Sequence, residues 1–263
     1  MKRFTELYME LDASNRTTAK LAALKRYFAD APAADAAWAV YFLTGQRIKR
    51  VVKTGNLREW AAQACGFPLW MLEECYDHVG DLAETLALLM NNRGRSGDDS
   101  VVPPLHQLVE KKILALRGLE PEEQRENLVE TWEEMSGDAC FVFNKLITGG
   151  FRVGVSKTLV NRALAEVAGV EPPIMAHRLM GDWQPKPENY RKLFEPESGQ
   201  DDPARPYPFC LAYPLDDKDP ESLGPVEDWQ IEWKWDGIRA QLIKRGGEVL
   251  LWSRGEELVG DQF

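Results

Sequence analysis

Apolar positions in residues 1–182 recur at intervals of three and four, the spacing that gathers side chains on one face of an α-helix. In 156-SKTLVNRALAEVAGV-170, Leu159, Val160, Ala163, Leu164 and Val167 form such a face, with Ser156 placed as N-cap and Gly169 as the stop. In 120-EPEEQRENLVETWEEM-135, Pro121 suits the first turn and acidic residues sit near the positive end of the helix dipole. The stretch 79-VGDLAETLALLMNN-92 predicts another helix with a rich apolar face, and further helices are expected at 17–29, 35–43, 68–77, 104–116 and 138–147. Beyond residue 225 the period falls to two. Trp229, Ile231, Trp233 and Trp235 alternate with Gln230, Glu232, Lys234 and Asp236, which predicts a strand. The runs 238–245 and 248–254 flank Gly246-Gly247, the signal of a tight hairpin.

The segment between these two regimes differs in kind. Residues 183–225 hold nine of the sixteen prolines, and proline both removes a backbone donor and interrupts helices. The expected organisation is a helical domain over 1–182, a Pro-rich acidic linker or strap over 183–225, and the first strands of a second domain over 226–263. Three strands cannot build a stable core alone, since chains below about 40 residues usually need extra staples. The sequence therefore reads as the N-terminal part of a longer protein.

Composition narrows the class. An apolar fraction of 44% and a charged fraction of 28% are ordinary for a globular chain of 263 residues. No window approaches the ~18 uninterrupted apolar residues of a membrane span, and the N-terminus lacks the apolar region of a secretory signal. The four cysteines (Cys65, Cys75, Cys140, Cys210) form no CxxC pair, which points to reduced thiols and a cytoplasmic protein. His78, His106 and His177 lack metal-ligand spacing, and no metal site is expected within this segment.

The net charge of −10 alone argues against a nucleic-acid partner. Its distribution reverses that inference. Residues 195–228 carry ten acids and two bases, so the remainder is close to neutral. Within that remainder, 44-TGQRIKRVVKTGNLR-58 has five bases and no acid, and 144-NKLITGGFRVGVSKTLVNR-162 has four bases and no acid. A phosphate backbone could be held there, with Arg47, Lys49, Arg50 and Lys53 in the first stretch. In the second, Gly149 and Gly150 allow backbone N–H groups to approach phosphates ahead of the Ser156-capped helix. Arg152 and Lys157 add charge, and Asn144 and Lys145 close the preceding helix.

Lys234 is the candidate nucleophile. It shares the polar face of its expected strand with Glu232 and Asp236, and Gly237 follows where the chain can turn beside a ligand. A lysine at its ordinary pKa of about 10.4 is almost wholly protonated at neutral pH, so it needs partial burial or neighbouring cations to expose its lone pair. Arg239 and Arg254 could supply that charge or hold phosphate oxygens with their fixed forks.

Lys234-Trp235-Asp236-Gly237-Ile238-Arg239 resembles the K-x-D-G-x-R motif of covalent nucleotidyltransferases, the DNA ligases, RNA ligases and capping enzymes. Ser253-Arg254-Gly255 is similar to the S-R-x-G element that follows about twenty residues later in that superfamily. Thr148-Gly149-Gly150-Phe151-Arg152-Val153-Gly154-Val155-Ser156 resembles the T-G-x-[FL]-R-[IV]-G-[VL]-[SA] segment in the helical DNA-binding domain of ATP-dependent DNA ligases. Pro208-Phe209-Cys210-Leu211-Ala212 resembles the strap entering their adenylation domain, with Phe-Cys-Leu-Ala in place of the commoner P-M-L-A. The resemblance runs from the first helices to Phe263 and is best for bacterial ATP-dependent DNA ligases.

That resemblance implies a mainly α fold: a helical DNA-binding domain, the Pro-rich linker, and the opening strands of an α/β adenylation domain. It implies ATP and Mg²⁺ as cofactors and nicked double-stranded DNA as partner, with a monomeric chain and no membrane association. Lys234 would carry AMP and Asp236 would serve the later steps, while Glu232, Arg239 and Arg254 would bind the nucleotide. Thr148, Gly149, Gly150, Phe151, Arg152, Gly154, Ser156, Lys157 and Asn144 would face DNA, with Arg47, Arg50 and Lys53 as a second group. The expected activity of the complete protein is nick sealing, and this segment alone is expected to bind DNA without sealing it. An RNA ligase or capping enzyme, and a non-catalytic helical DNA-binding or scaffold module, are the alternatives.

Overall fold

The computed structural model describes residues 1–91, 102–135, 137–151, 153–179, 183–195, 206–207, 209, 219–233, 235–254 and 259–260. The chain divides into two compact units. One spans Met1–Met175 with Trp183–Pro196; the other spans Ala176–Asp182 with Glu197–Phe263.

The described residues of the first unit form helices joined by loops, with no strand among them. Its helices are α1 (Lys2–Asp12), α2 (Thr17–Asp30), α3 (Ala33–Leu43), α4 (Thr54–Cys65), α5 (Leu69–Val79) and α6 (Leu82–Asn91). A short α7 (Leu105–Gln107) runs into a π turn (Leu108–Ile113) and a 3₁₀ turn (Leu114–Leu116). Then follow α8 (Pro121–Glu134), α9 (Gly137–Thr148), α10 (Lys157–Ala168) and, across the unit boundary, α11 (Pro172–Arg178). The capping expectations hold. Ser156 Oγ accepts the Leu159 N–H at 3.1 Å, Gly169 closes α10 in the left-handed region at φ 67°, and Pro121 opens α8 behind a capping box of Glu120 and Glu123.

Among the helices that the expectations did not single out are α1 and α4. α1 buries Phe4, Leu7, Tyr8 and Leu11, an i, i+3, i+4, i+7 face. α4 buries Leu57, Trp60, Ala61 and Ala62, and begins inside the acid-free basic run. The helix expected over 104–116 is present, but its middle is π rather than α, a wider turn that apolar spacing does not distinguish. α3 is fastened to this segment by polar contacts: Asp35 Oδ1 lies 2.6 Å from His106 Nδ1, and Trp38 Nε1 donates to Glu110 at 3.1 Å.

The core forms where α1, α2, α3, α9 and α10 converge, and where α6 packs along α9. Phe4, Tyr8, Leu24, Phe28, Phe42, Phe143, Val160 and Leu164 are all buried there. The proline-rich stretch does not begin as a linker. Residues 187–192 form α12 (Pro187–Lys192), with Pro187 in the first turn, where its missing N–H costs nothing. α12 packs on α3, Leu193 is buried, and the Tyr190 hydroxyl donates to Phe28 O at 2.7 Å.

In the second unit, β1 (Ala240–Arg245) and β2 (Glu248–Ser253) pair antiparallel, from Ala240 opposite Ser253 to Arg245 opposite Glu248. The turn is the expected Gly246-Gly247, both at positive φ (57° and 88°), which suits the twist of a two-residue hairpin. The strand expected at 229–236 is not formed among its described residues. A strand needs a neighbouring ladder as well as alternation. Here Ile231, Trp233 and Trp235 are each more than 80% exposed, and the Trp229 indole is tied locally to Leu223 O at 2.7 Å.

Candidate nucleic-acid interface

The two acid-free basic stretches lie about a hundred residues apart in sequence, and the fold brings them together. The first enters from the end of α3. Gly45 turns the chain at φ 94°, and the Tyr41 hydroxyl donates to Arg47 O at 2.8 Å, fixing the exit path. Arg47, Lys49, Arg50 and Lys53 are exposed along the connection to α4. The second runs from α9 to α10. Arg47 lies against it: a side chain added at Gly149 would begin 3.9 Å from Arg47 Cδ. An open cleft of about 500 Å³ is lined by Gly45, Gln46 and Arg47 from the first stretch and by Val153, Gly154, Val155 and Ser156 from the second. Among the described residues, no acidic side chain pairs with Arg47, Lys49, Arg50 or Lys53. Their charge is therefore available to an outside anion.

The 149–156 loop is held from beneath at two points. Phe151 stacks on Phe4 at 5.7 Å and meets Tyr8 edge-on at 5.0 Å and Phe42 at 5.8 Å. Phe151, expected at the DNA surface, is half-buried: its ring packs on this aromatic cluster and anchors the loop, while the residue also lines the cleft. The second point is Lys20 of α2, whose ammonium donates to Val153 O at 2.8 Å and Gly154 O at 3.0 Å. Lys20 is only 6% exposed, and among the described residues it meets no carboxylate. The sequence offered one signal for it, a charged residue on the apolar face that carries Leu21, Leu24 and Phe28.

Between these anchors, Gly150, Gly154, Ser156 and Lys157 are exposed, and Thr148 donates its hydroxyl back to Asn144 O at 2.7 Å. Arg152 lies outside the described residues. Asn144 is a correction: it is completely buried, so it has no surface to offer a phosphate. Its Oδ1 accepts the Trp132 indole N–H at 2.8 Å, which satisfies both buried polar groups. Lys145 is also turned inward. It pairs with Asp81 and lies 5.2 Å from the Phe141 ring centre.

Asp81 caps α6 by accepting the Glu84 N–H at 3.1 Å. Partial burial opposes its ionisation, but the Lys145 ammonium and the backbone N–H groups of Glu84 and Ala83 outweigh that and hold the carboxyl below its ordinary value. A depressed folded-state pKa stabilises the fold above the unfolded value, and that stability is lost as pH falls through the folded one. Thermal melts of wild type and Asp81→Asn should therefore differ most near neutrality and converge as acid protonates Asp81. A difference that stays constant with pH would show that the pair contributes nothing through charge.

Of the nucleotide-site candidates, Lys234 and Gly255 lie outside the described residues. Glu232, Asp236 and Arg239 are exposed. The structure does bring Arg239 and Arg254 together: the Arg254 N–H donates to Arg239 O at 3.0 Å, which extends the hairpin ladder by one pair. The two arginines are thus cross-strand neighbours, and they continue the parity of Gln241 and Trp252. Like charges opposite one another are unfavourable unless an anion bridges them. Among the described residues, no group of three or more His, Cys, Asp or Glu side chains could hold a metal ion, and no helix is long and apolar enough to cross a membrane.

Comparison with known proteins agrees with this geometry. Residues 1–165 match the family described as DNA ligase N terminus. A protein of Koribacter versatilis (strain Ellin345), named Probable DNA ligase, is 25% identical over 270 residues, covering 95% of this chain and 44% of that relative. The chain thus spans less than half the length of this curated relative, and its first 165 residues include both basic stretches up to α10. With the family match covering more than half of its length, this chain belongs to the DNA ligases.

Proposed function

We propose that this chain grips duplex DNA, without reading its sequence, through the face formed by residues 44–53 and 148–157. The observation that carries this reading is the convergence of two acid-free basic segments on one cleft, with Arg47 against Gly149. Phosphate contacts from arginine, lysine and exposed backbone position a protein on a duplex and carry no base information, which is what joining arbitrary ends requires.

In a protein of ligase length, the reading extends to chemistry. Lys234 Nζ attacks the α-phosphorus of ATP; the N–P bond forms as the bond to pyrophosphate breaks. A 5′-phosphate oxygen at the nick then attacks the same phosphorus and Nζ leaves. The 3′-hydroxyl finally attacks the 5′-phosphorus and AMP departs. A covalent intermediate of this kind divides one difficult displacement into easier ones. The facing of Arg239 and Arg254 supports a role in holding phosphate, since an anion between them removes their repulsion. Glu232 and Asp236, two residues before and two residues after Lys234 in the sequence, are assigned to adenine contact and the later steps. Mg²⁺ would neutralise triphosphate charge when bound; the described residues supply no cluster of acidic, His or Cys ligands for it.

Fluorescence anisotropy of nicked and intact duplexes across a salt series tests the DNA reading. Both duplexes should bind, with affinity falling steeply as salt rises. Arg47→Ala and Arg152→Ala should each weaken binding equally across DNA sequences and reduce the slope of log K against log salt by about 1. Absence of binding at low salt overturns the proposal.

A further inference from the structure

We propose that Lys20 is a positioning residue for duplex contact: its buried ammonium sets the backbone of the 153–155 loop in its DNA-facing conformation without touching DNA. This rests on the DNA reading above. Lys20 belongs to α2, and the loop it holds lies more than 130 residues away. Isolating a cation from water is unfavourable unless its donors are used, and here two successive carbonyls, Val153 O and Gly154 O, accept from the same nitrogen. No cis peptide occurs among the described residues, so each peptide N–H points opposite to its carbonyl. Turning the two carbonyls toward Lys20 therefore turns the N–H groups of Gly154 and Val155 away from it. Neither N–H has a protein partner among the described residues, and both residues line the same cleft as Arg47.

Gly154 is the other half of the device. Its φ of +61° lies in the region that disfavours side chains, and a Cβ there would stand 2.8 Å from Lys20 Nζ. A side chain at Gly154 would thus meet both a disfavoured φ and the lysine ammonium, which would have to shift. Among the described residues Lys20 meets no carboxylate, and its positive charge under the loop favours an anion on the other side of the same two peptides.

The test uses the whole 263-residue chain and a nicked duplex over a salt series, with Lys20→Met, Lys20→Arg and Gly154→Ala beside Arg47→Ala. Lys20→Met keeps the apolar stem and removes the donor. It should lower duplex affinity about tenfold, the scale of one lost charge-assisted hydrogen bond. The salt slope should stay at its wild-type value, because no phosphate contact is removed. Lys20→Arg should recover part of the loss. Gly154→Ala disturbs the same contact from the loop side, and it should reproduce the loss with the same unchanged slope even where Lys20→Met fails to fold. Wild-type affinity in folded Lys20→Met, or in Gly154→Ala, overturns the role. A slope reduced by about 1 in Lys20→Met also overturns it, by making Lys20 a direct phosphate contact. Failure of the wild-type chain to bind any duplex is a different result and overturns the DNA reading itself.

Discussion

In a ligase-length protein carrying Lys234→Ala, the covalent AMP adduct formed from ATP is expected to vanish, and nick sealing with it. The same variant should bind nicked duplex as wild type does, because the basic cleft is built from residues 42–47 and 151–156 of the helical unit. The decisive comparison supplies a nick whose 5′-phosphate already carries AMP. That substrate needs only attack by the 3′-hydroxyl, so Lys234→Ala should seal it while failing on an unmodified nick. Mass spectrometry of the protein reads the adduct, and gel electrophoresis reads the two sealing reactions. An adduct that persists in Lys234→Ala places the nucleophile elsewhere. Arg239→Ala and Arg254→Ala should each weaken both reactions if the facing arginines hold phosphate, whereas a purely structural hairpin would leave sealing unchanged in the folded variants.

Phe4→Ala should cause the largest loss of stability among the substitutions considered. Phe4 is 2% exposed, stacks on Phe151 at 5.7 Å and meets the edge of Tyr27 at 6.0 Å. Truncating a buried phenylalanine costs about 3–5 kcal/mol through lost burial and the cavity left behind. For a unit of this size that corresponds to a fall in Tm on the order of 10 °C. The effect extends beyond stability, because Phe151 loses the flat surface on which the 149–156 loop rests. Phe4→Leu, which keeps more of the buried volume, should recover much of the melting temperature while still lowering duplex affinity. A Phe4→Ala chain that melts within about a degree of wild type would show that the aromatic cluster is not a core, since one kcal/mol already moves Tm by about 2–4 °C at this size.

The parts of the fold that rest on local chemistry were legible in the sequence. Ser156 and Gly169 mark the ends of α10 because capping involves only neighbouring backbone, and Gly246-Gly247 marks the hairpin because the turn itself demands positive φ. Features that depend on distant partners were not. The alternation at 229–236 is real, yet without a paired neighbour its tryptophans remain exposed. Asn144 looks like a surface amide, and only the Trp132 indole on the preceding helix makes it a core residue. Proline content suggested a linker from residue 183, but Pro187 stands where proline starts a helix, and α12 packs on α3. For the site, the charge pattern identified both basic stretches, and Gly149-Gly150 ahead of the Ser156-capped helix identified the loop. That Arg47 lies beside Gly149, and that Lys20 supports Val153 and Gly154, are facts of tertiary packing with no counterpart in local spacing.

The docking of α12 also decides where this molecule can be divided. Severed at residue 182, the helical unit would lose Tyr190 and Leu193 from its interior and leave Phe28 O without its hydroxyl partner. Severed after residue 195, it keeps them. For a protease, or for recombination that trades one domain for another, a cut after residue 195 is therefore the one that leaves this interior whole.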